Sequence, residues 1–580
     1  MNYTIVGIDF GTSTTVVKAK SYGPGTNPKD CVPVTFNGNS YLPTLIFEDK
    51  GGKLFFGYDA EAQISGGTEG VTHKNFKMEL IGNSEQQAKA KRLIKAFFSY
   101  IYSEFNNNRQ RLSVYPTVKT YVSYPAKWTP EIRNLMKQCA IEAGFGTEKD
   151  VFGESEPTAA IYASITANLD KLQEKRIIVR NQPVNVMMLD MGAGTSDIAI
   201  FKFKIDDSNK PVINELITYP TIDNDSLCGG REIDDLLAKD LEQYVVKLSK
   251  NEPSPPRLIK AINAAVKKWK EQNLAPDLEA SNSVKTPPGN VNEMIEERQE
   301  YGLFNIIPFE PIDRIRFESL TRPHWQELRS LIEGAVNEAK AGKNKLSNFN
   351  GAEDIDLVIL TGGHSKWYGV REFILNKDFA GLAPIDFSKI KKESERLLQE
   401  AHPQETVSNG LVYKDIPFDV KHTMGNSLWV QFEIDGKKSQ LFNPVLQHEV
   451  LPVKDKPCDW EIQIKSHSLT SKEVEIVCNC YYGSSKEKSI VKEERRTLPI
   501  NDAFCAAVGA PFRLIGGVFN EICNAFEGKK SFGDGLEDSF KETYAVKIST
   551  IINVEKDGTG KITGTLGSDW NSGEPFEITL

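Results

Sequence analysis

Asp9 and Asp190 each close an apolar run and open a turn made of glycines and hydroxyl residues. Residues 6–20 read "VGIDFGTSTTVVKAK", and residues 187–201 read "MMLDMGAGTSDIAIF". In each, apolar and β-branched residues predict a strand, small residues a turn, and renewed apolar residues a second strand. A small-residue turn exposes backbone N–H groups, which line a concave seat for an anion. Gly11, Thr12 and Ser13 supply one such seat; Gly192, Gly194 and Thr195 supply the other. Taken alone, the first stretch reads equally well as an ordinary hairpin turn. The second copy shifts the balance, because two seats with one carboxylate apiece suit phosphates and a hydrated Mg²⁺, a hard cation that takes a few acids plus phosphate oxygens. This is not the strand–loop–helix phosphate loop, which carries a lysine after its glycines. The pair argues for a nucleotide held between two related halves.

Composition bounds the rest. The chain has 580 residues, too many for one core, so several domains or subdomains are expected. An apolar fraction of 39% and a charged fraction of 26% describe a soluble globular protein. The net charge of −9 comes from interleaved acids and bases, so no basic patch argues for nucleic acid. No run approaches the ~20 apolar residues that span a bilayer, so no membrane partner is expected. The first strand begins near residue 3, leaving no room for a signal peptide, and the eight cysteines form no Cys-x-x-Cys. A reducing, cytoplasmic location is the expectation. Cys478 and Cys480 lie two apart on an expected strand and are read as core. The seven histidines show no i,i+4 pair, so no structural metal site is expected from spacing.

The elements that must position the two acids are legible in outline. Residues 84–107 predict a helix, and "VKTYVSY" (118–124) a buried strand. "TPEIRNLMKQCAIEAGF" predicts a helix with Thr129 as N-cap, Pro130 in the first turn and Gly144 as its stop. Pro157 marks another helix start, residues 231–249 and 256–272 read as helical, and the polar stretch 273–305 reads as a long excursion. "DIDLVILTGGHSK" reads as a buried strand running into a Gly-Gly turn. Near residue 413 the pattern changes to short alternating runs, as in a β-sandwich. One apolar stretch, residues 502–527, interrupts them with helical spacing that Gly509, Pro511, Gly516 and Gly517 would break.

Eight motifs in order, "GIDFGTSTT", "FKMELIG", "YPAKWTPEIR", "ESEPTAA", "LDMGAGTSD", "CGGREID", "LTGGHSK" and "HPQETVSNG", make the chain resemble the DnaK-type, seventy-kilodalton heat-shock chaperone family. That family lies within the actin and sugar-kinase ATPase superfamily. The resemblance is strong to about residue 412 and loose beyond. It implies an α/β actin-like ATPase domain, two related halves around a nucleotide cleft, followed by a mostly β sandwich domain. The expected boundaries are 1–412 for the ATPase domain, 413–422 for a linker and 423–580 for a substrate-binding-like domain with the 502–527 insertion. The implied ligands are ATP or ADP with Mg²⁺. Asp9 and Asp190 would hold the cation through water, and Gly11, Thr12, Ser13, Gly192, Gly194 and Thr195 would seat phosphates. Lys77 matches a lysine that reaches the γ-phosphate, Glu156 an acid near the attacking water, Asp197 a second acid, and Thr195 a catalytic hydroxyl. Gly229, Gly230, Gly362 and Gly363 would admit the nucleoside, with Lys366 where the family has an arginine over adenine. Pro125 and Arg133 match a pair that relays nucleotide state.

Departures accompany the match. Ser13 stands for a threonine, Gln404 for an acid, and "AAVKKWKEQNL" matches the family's adenosine-contacting helix only vaguely. The segment "DIPFDV" is a shortened linker containing Pro417, which lacks a strand N–H, so weak communication between domains is expected. The family's helical lid has no counterpart in this sequence, Val474 is the candidate cleft-lining side chain, and 502–527 is the candidate substitute lid. The implied partners are extended or unfolded polypeptide, a J-domain co-chaperone and a nucleotide exchange factor. Rival readings are a small-molecule kinase of the superfamily, an actin-like filament former, and an ATP-regulated binding protein without turnover.

Overall fold

The computed structural model describes residues 2–580 except 25, 27–30, 221–227, 250–255, 342–348, 376–377, 414–418, 425, 435, 447–448, 466–472, 484–488, 500–542, 556–558 and 567–574. The chain divides into two compact units, the first reaching to Val420 and the second made of Lys421–Leu580 together with short segments that include Thr129–Glu131.

The first unit holds two sheets built to one plan. Strand Tyr3–Phe10 pairs antiparallel with Thr14–Tyr22 and parallel with Val118–Tyr124, which pairs parallel with Val151–Ser155. Strand Val184–Met191 pairs antiparallel with Ser196–Ile205 and parallel with Leu357–Thr361, which pairs parallel with Leu397–Gln399. Each sheet adds an antiparallel neighbour beyond its hairpin, Val32–Pro33 in the first and Pro211–Tyr219 in the second. Asp419–Lys421 then extends the second sheet past Pro211–Tyr219. Their first strands are buried along most of their length, as expected of parallel-flanked strands covered on both faces. The duplication read from the two turns is thus a duplication of strand order and sense.

Helices fix how the two plans meet. Glu156–Glu174 starts where Ser155 caps it, its hydroxyl accepting from the Thr158 N–H, with Pro157 in the first turn. Ser84–Asn107 starts with a reciprocal cap between Asn83 and Gln86. The short helix Thr406–Val412 packs on Glu156–Glu174 and on the first strand, and all three contribute to one buried cluster. At this crossing the backbones touch. A Cβ placed on Gly410 would lie 1.6 Å from the Ala159 carbonyl oxygen, and one on Gly7 would lie 2.7 Å from Leu411 Cβ.

The stretch 273–305 departs from its reading as an excursion. A π-helical turn, Lys270–Leu274, leads into the helix Ala275–Glu279, and Gly289–Glu300 forms a further helix that buries Val291 and Ile295. The Pro-Pro-Gly cluster precedes that helix rather than marking an extended loop, and the stretch is polar because it offers the core few side chains.

In the second unit, Ser427–Ile434, Glu473–Gly483 and Ser489–Pro499 form the centre of one antiparallel sheet. Val453–Lys465, Thr543–Val554, Gly560–Leu566 and Phe576–Thr579 form another. Alternate residues of both, among them Phe432, Trp460, Cys478, Cys480, Ile548 and Phe576, share one core. Cys478 and Cys480 are buried free thiols with sulfurs 3.9 Å apart. Residues 502–527, Pro417 and the Val474 side chain lie outside the described residues. Among the described residues no helix is long and apolar enough to cross a membrane.

The crossing generates a test. Gly410→Ala must push the two helices apart, an overpacking cost of about 1–3 kcal/mol that is expected at its upper end because the obstacle is backbone. Urea unfolding should show the loss, and a cost below about 0.5 kcal/mol would mean the helices are not held at this spacing.

Candidate functional site

Register sets both turns. In the first hairpin Asp9 faces Val16 and Phe10 faces Thr15, so the chain reverses over Gly11, Thr12 and Ser13. A Cβ on Gly11 would sit 2.4 Å from the Thr14 carbonyl oxygen, so only glycine closes this turn. The Thr44 N–H holds the turn from behind by donating to the Ser13 carbonyl at 2.9 Å. In the second hairpin Asp190 faces Asp197, and the Gly192 N–H donates to the Thr195 carbonyl at 2.9 Å. The start of the helix Gly230–Leu248 buttresses that turn: the Gly230 and Arg231 N–H groups donate to the carbonyls of Gly192 (3.2 Å) and Ala193 (2.7 Å). Gly229 lies so close that a Cβ would be 2.7 Å from the Gly194 carbonyl carbon. Gly362, at φ +79°, brings its own backbone against Asp190: a Cβ there would be 2.4 Å from the Met191 carbonyl oxygen and 2.6 Å from Asp190 Oδ1.

The acids converge. Burial, then the charge of Glu156, push the Asp9 carboxyl up to about 7, with Lys77 and the Ser123 hydrogen bond opposing. Burial and the charges of Glu156, Asp9 and Asp197 hold Asp190 well above the usual carboxylate range. Lys77 is buried and its Nζ donates to Glu156 Oε1 at 2.8 Å, while lying 5.4 Å from the Trp128 ring. It is not a solvated helix lysine; its neighbour Lys74 is the exposed one. Among the described residues, Asp9, Asp190 and Glu156 form no trio with ligand atoms close enough for direct capture of one ion. A hydrated divalent cation would relieve the mutual repulsion that, with burial, holds Asp190 high. A donor set made of carboxylate oxygens fits Mg²⁺ better than a softer metal.

Three further groups belong to this cluster and were not singled out by motif reading. The Ser123 hydroxyl donates to Asp9 Oδ1 at 2.9 Å and accepts from the Phe10 N–H at 3.3 Å. Lys127, buried, sits 3.8 Å from Asp197. Arg231 reaches from the second half to the first, donating to Ser13 Oγ at 2.8 Å and to Asn75 Oδ1 at 2.9 Å. Ser123 and Lys127 lie inside or beside "YPAKWTPEIR" and Arg231 inside "CGGREID", but nothing in their spacing announces a charge partner.

Gly363 is exposed, and Lys366 ends the short turn Gly363–Lys366 with its side chain in solvent. Lys270, in the π-helical turn, is buried, and its Nζ donates to the Gly230 carbonyl at 2.9 Å and pairs with Asp234 at 2.6 Å. Gln404 donates to the Tyr41 hydroxyl at 2.8 Å, and the adjacent Glu405 keeps an acid there, bonded to Tyr41 (2.7 Å) and Lys18 (2.5 Å). Arg133 donates to the Ala126 carbonyl at 2.7 Å and lies over the Tyr124 ring, next to Pro125.

No family model matches the chain. It is similar to the protein named chaperone protein DnaK of Thermotoga maritima, 26% identical over 391 residues that cover 66% of this chain and 56% of that relative. The DnaK proteins of Picrophilus torridus and Endomicrobium trichonymphae are 23% and 22% identical over 391 and 370 residues. The matched region spans about half the length of these relatives, 54% and 52% in the last two. The likeness is distant and consistent among them.

The carboxylate cluster predicts a pH dependence. Asp9 is protonated in the folded chain up to about pH 7, whereas the unfolded chain releases that proton near pH 4. The folded state therefore binds more protons between these values, and stability falls as pH rises through that window. Without divalent cations, melting temperature should drop from pH 5 to pH 8. Asp9→Asn should flatten the drop and raise stability at pH 8 by up to about 4 kcal/mol. A variant that is less stable than the parent at pH 8 would contradict the proposed repulsion.

Proposed function

We propose that the first unit binds and slowly hydrolyses ATP with Mg²⁺ in an actin-type cleft, and that the protein is a chaperone-like ATPase. On this reading ATP turnover is coupled to binding of extended apolar polypeptide by the sheet-rich second unit. The observation that carries it is the paired hairpins: two glycine turns, each following a carboxylate, with the Lys77–Glu156 pair beside them. The distant DnaK likeness supports the same reading.

The chemistry follows from the groups present. Turn N–H groups and the hydroxyls of Thr12, Ser13 and Thr195 seat the phosphate oxygens. A divalent cation at Asp9 and Asp190, when bound, supplies charge neutralisation on those oxygens. Lys77, brought in by burial rather than by a flexible surface arm, swings from Glu156 to the γ-phosphate. Glu156 is then free to accept a hydrogen bond from the attacking water and align it in line with the leaving oxygen. The water oxygen bonds to phosphorus, the bond to the β-phosphate oxygen breaks, and the water proton passes to the carboxylate or to the phosphate released. Little covalent help is needed, so orientation and charge account for the rate. Asp197, held by Lys127, keeps a second acid near this water. A J-domain co-chaperone and an exchange factor are the partners this cycle calls for, in a cytoplasmic setting.

Lys77→Ala should leave ATP affinity within a few-fold, yet slow single-turnover hydrolysis by at least about a hundredfold, because its charge acts on the transition state. Undiminished turnover would remove Lys77 from the mechanism. For the whole reading, ATP should accelerate dissociation of a labelled apolar peptide from the full chain, followed by fluorescence anisotropy. Hydrolysis without such release would leave the ATPase and refute the chaperone coupling.

A further inference from the structure

Behind the second phosphate turn lies a cluster that the ATPase reading does not use. Cys228, Glu232 and His324 bring a thiol, a carboxylate and an imidazole together with all three ligand atoms within 4.8 Å of one another. Glu232 Oε2 is 2.8 Å from His324 Nδ1, and Cys228 Sγ is 3.7 Å from the same nitrogen. Cys228 also lies 3.8 Å from the His324 carbonyl oxygen. Cys228 and His324 are fully enclosed, while the Glu232 side chain keeps 31% of its surface exposed and offers a way in.

We propose that Cys228, Glu232 and His324 form a binding site for a Zn²⁺-class divalent cation, with a fourth position left for water. The donor types are those of zinc sites, where thiolate, imidazole and carboxylate ligands lie about 2.0–2.3 Å from the metal. Tetrahedral ligands at those distances are separated by about 3.4–3.6 Å. The sulfur–nitrogen distance already matches, and the carboxylate must back away by roughly half an ångström, which its exposed side chain permits. An outer partner is in place as well. His324 Nε2 lies 3.1 Å from His364 Nε2, with the rings at 80°, so the nitrogen not used for metal has a buried hydrogen-bond partner to orient the ring. Metal-binding histidines characteristically have one.

The position gives the ion a structural task. Cys228 directly precedes Gly229 and Gly230, which pack on the second phosphate turn, and its carbonyl accepts from Ser196 Oγ at 2.6 Å. His324 lies in the first turn of the separate helix Arg322–Ala341. A metal would therefore clamp the strand, the turn buttress and that helix together. Sequence spacing hides this, because Cys228 and His324 are 96 residues apart.

Cobalt is the probe. Full-length protein freed of metal with a chelator, then titrated with Co²⁺, should develop thiolate-to-cobalt charge-transfer absorption that saturates at one equivalent and is bleached by Zn²⁺. Cys228→Ser should abolish that absorption. Glu232→Gln, at a partly exposed position that keeps the fold, should retain the absorption but weaken cobalt affinity by at least about tenfold. Circular dichroism of each variant checks folding. No charge-transfer band in the parent at several-fold excess Co²⁺, a band undiminished in Cys228→Ser, or unchanged affinity in Glu232→Gln would each overturn the proposal.

Discussion

The first unit depends on one steric constraint, the meeting of two helices at bare backbone. Gly410 leaves no side chain between Thr406–Val412 and Ala159, and Gly7 lets the same short helix lie on the first strand. Glu156 begins one partner of that crossing, and Asp9 lies two residues beyond Gly7. The separation of a carboxylate on a helix from a carboxylate on a strand is therefore set by contacts between main chains. Main-chain contacts yield less than side-chain ones, because no rotamer can move aside. A site that needs charges placed to a fraction of an ångström is well served by this kind of support.

Electrostatics then runs against packing. Asp9, Asp190, Glu156 and Asp197 lie near one another, and two like charges about 4 Å apart repel by about 4 kcal/mol at an effective dielectric constant near 20. Lys77 and Lys127 enter from different elements, beside Glu156 and Asp197 respectively, and offset part of that repulsion. Arg231 links the second turn's buttress to the first hairpin, since it starts in the helix behind the second turn and ends on Ser13 of the first. The two halves are thus coupled through a guanidinium at the phosphate turns and through packed helices deeper in the unit. On the ATPase reading, a phosphate arriving between the turns would change what Arg231 and Lys77 hold, and so would reach both halves at once.

What was legible in the chain follows from what is local. Both hairpins, the helix start at Pro157 and the strand before Gly362 are written in consecutive residues, and the strand order repeats as the two turns suggested. Groups whose role arises only from tertiary approach were not legible. Ser123 lies 114 positions from Asp9, and Arg231 lies 218 from Ser13, distances over which no spacing rule operates. The 273–305 stretch misled because its helices bury so little that their apolar period is faint: Gly289–Glu300 buries two side chains in twelve residues. In the second unit alternation gave the strands and their inward faces, yet alternation carries no chemistry, so it could not locate a ligand surface.

The same asymmetry divides the site itself. The turn side is built around Gly11, Gly229 and Gly362, where an added Cβ would strike backbone. On its other side Lys366 is exposed, and Lys270 is buried and held by Asp234 and the Gly230 carbonyl. Gly230 joins the two sides, since its N–H braces the second turn, its carbonyl anchors Lys270, and a Cβ on it would lie 3.4 Å from His364. Lys270 and the second turn are therefore linked through one residue and two hydrogen bonds. On the ATPase reading, recognition of the base and closure on the phosphates are a single mechanical event, and affinity rests mainly on the charged end, where the preorganised donors are.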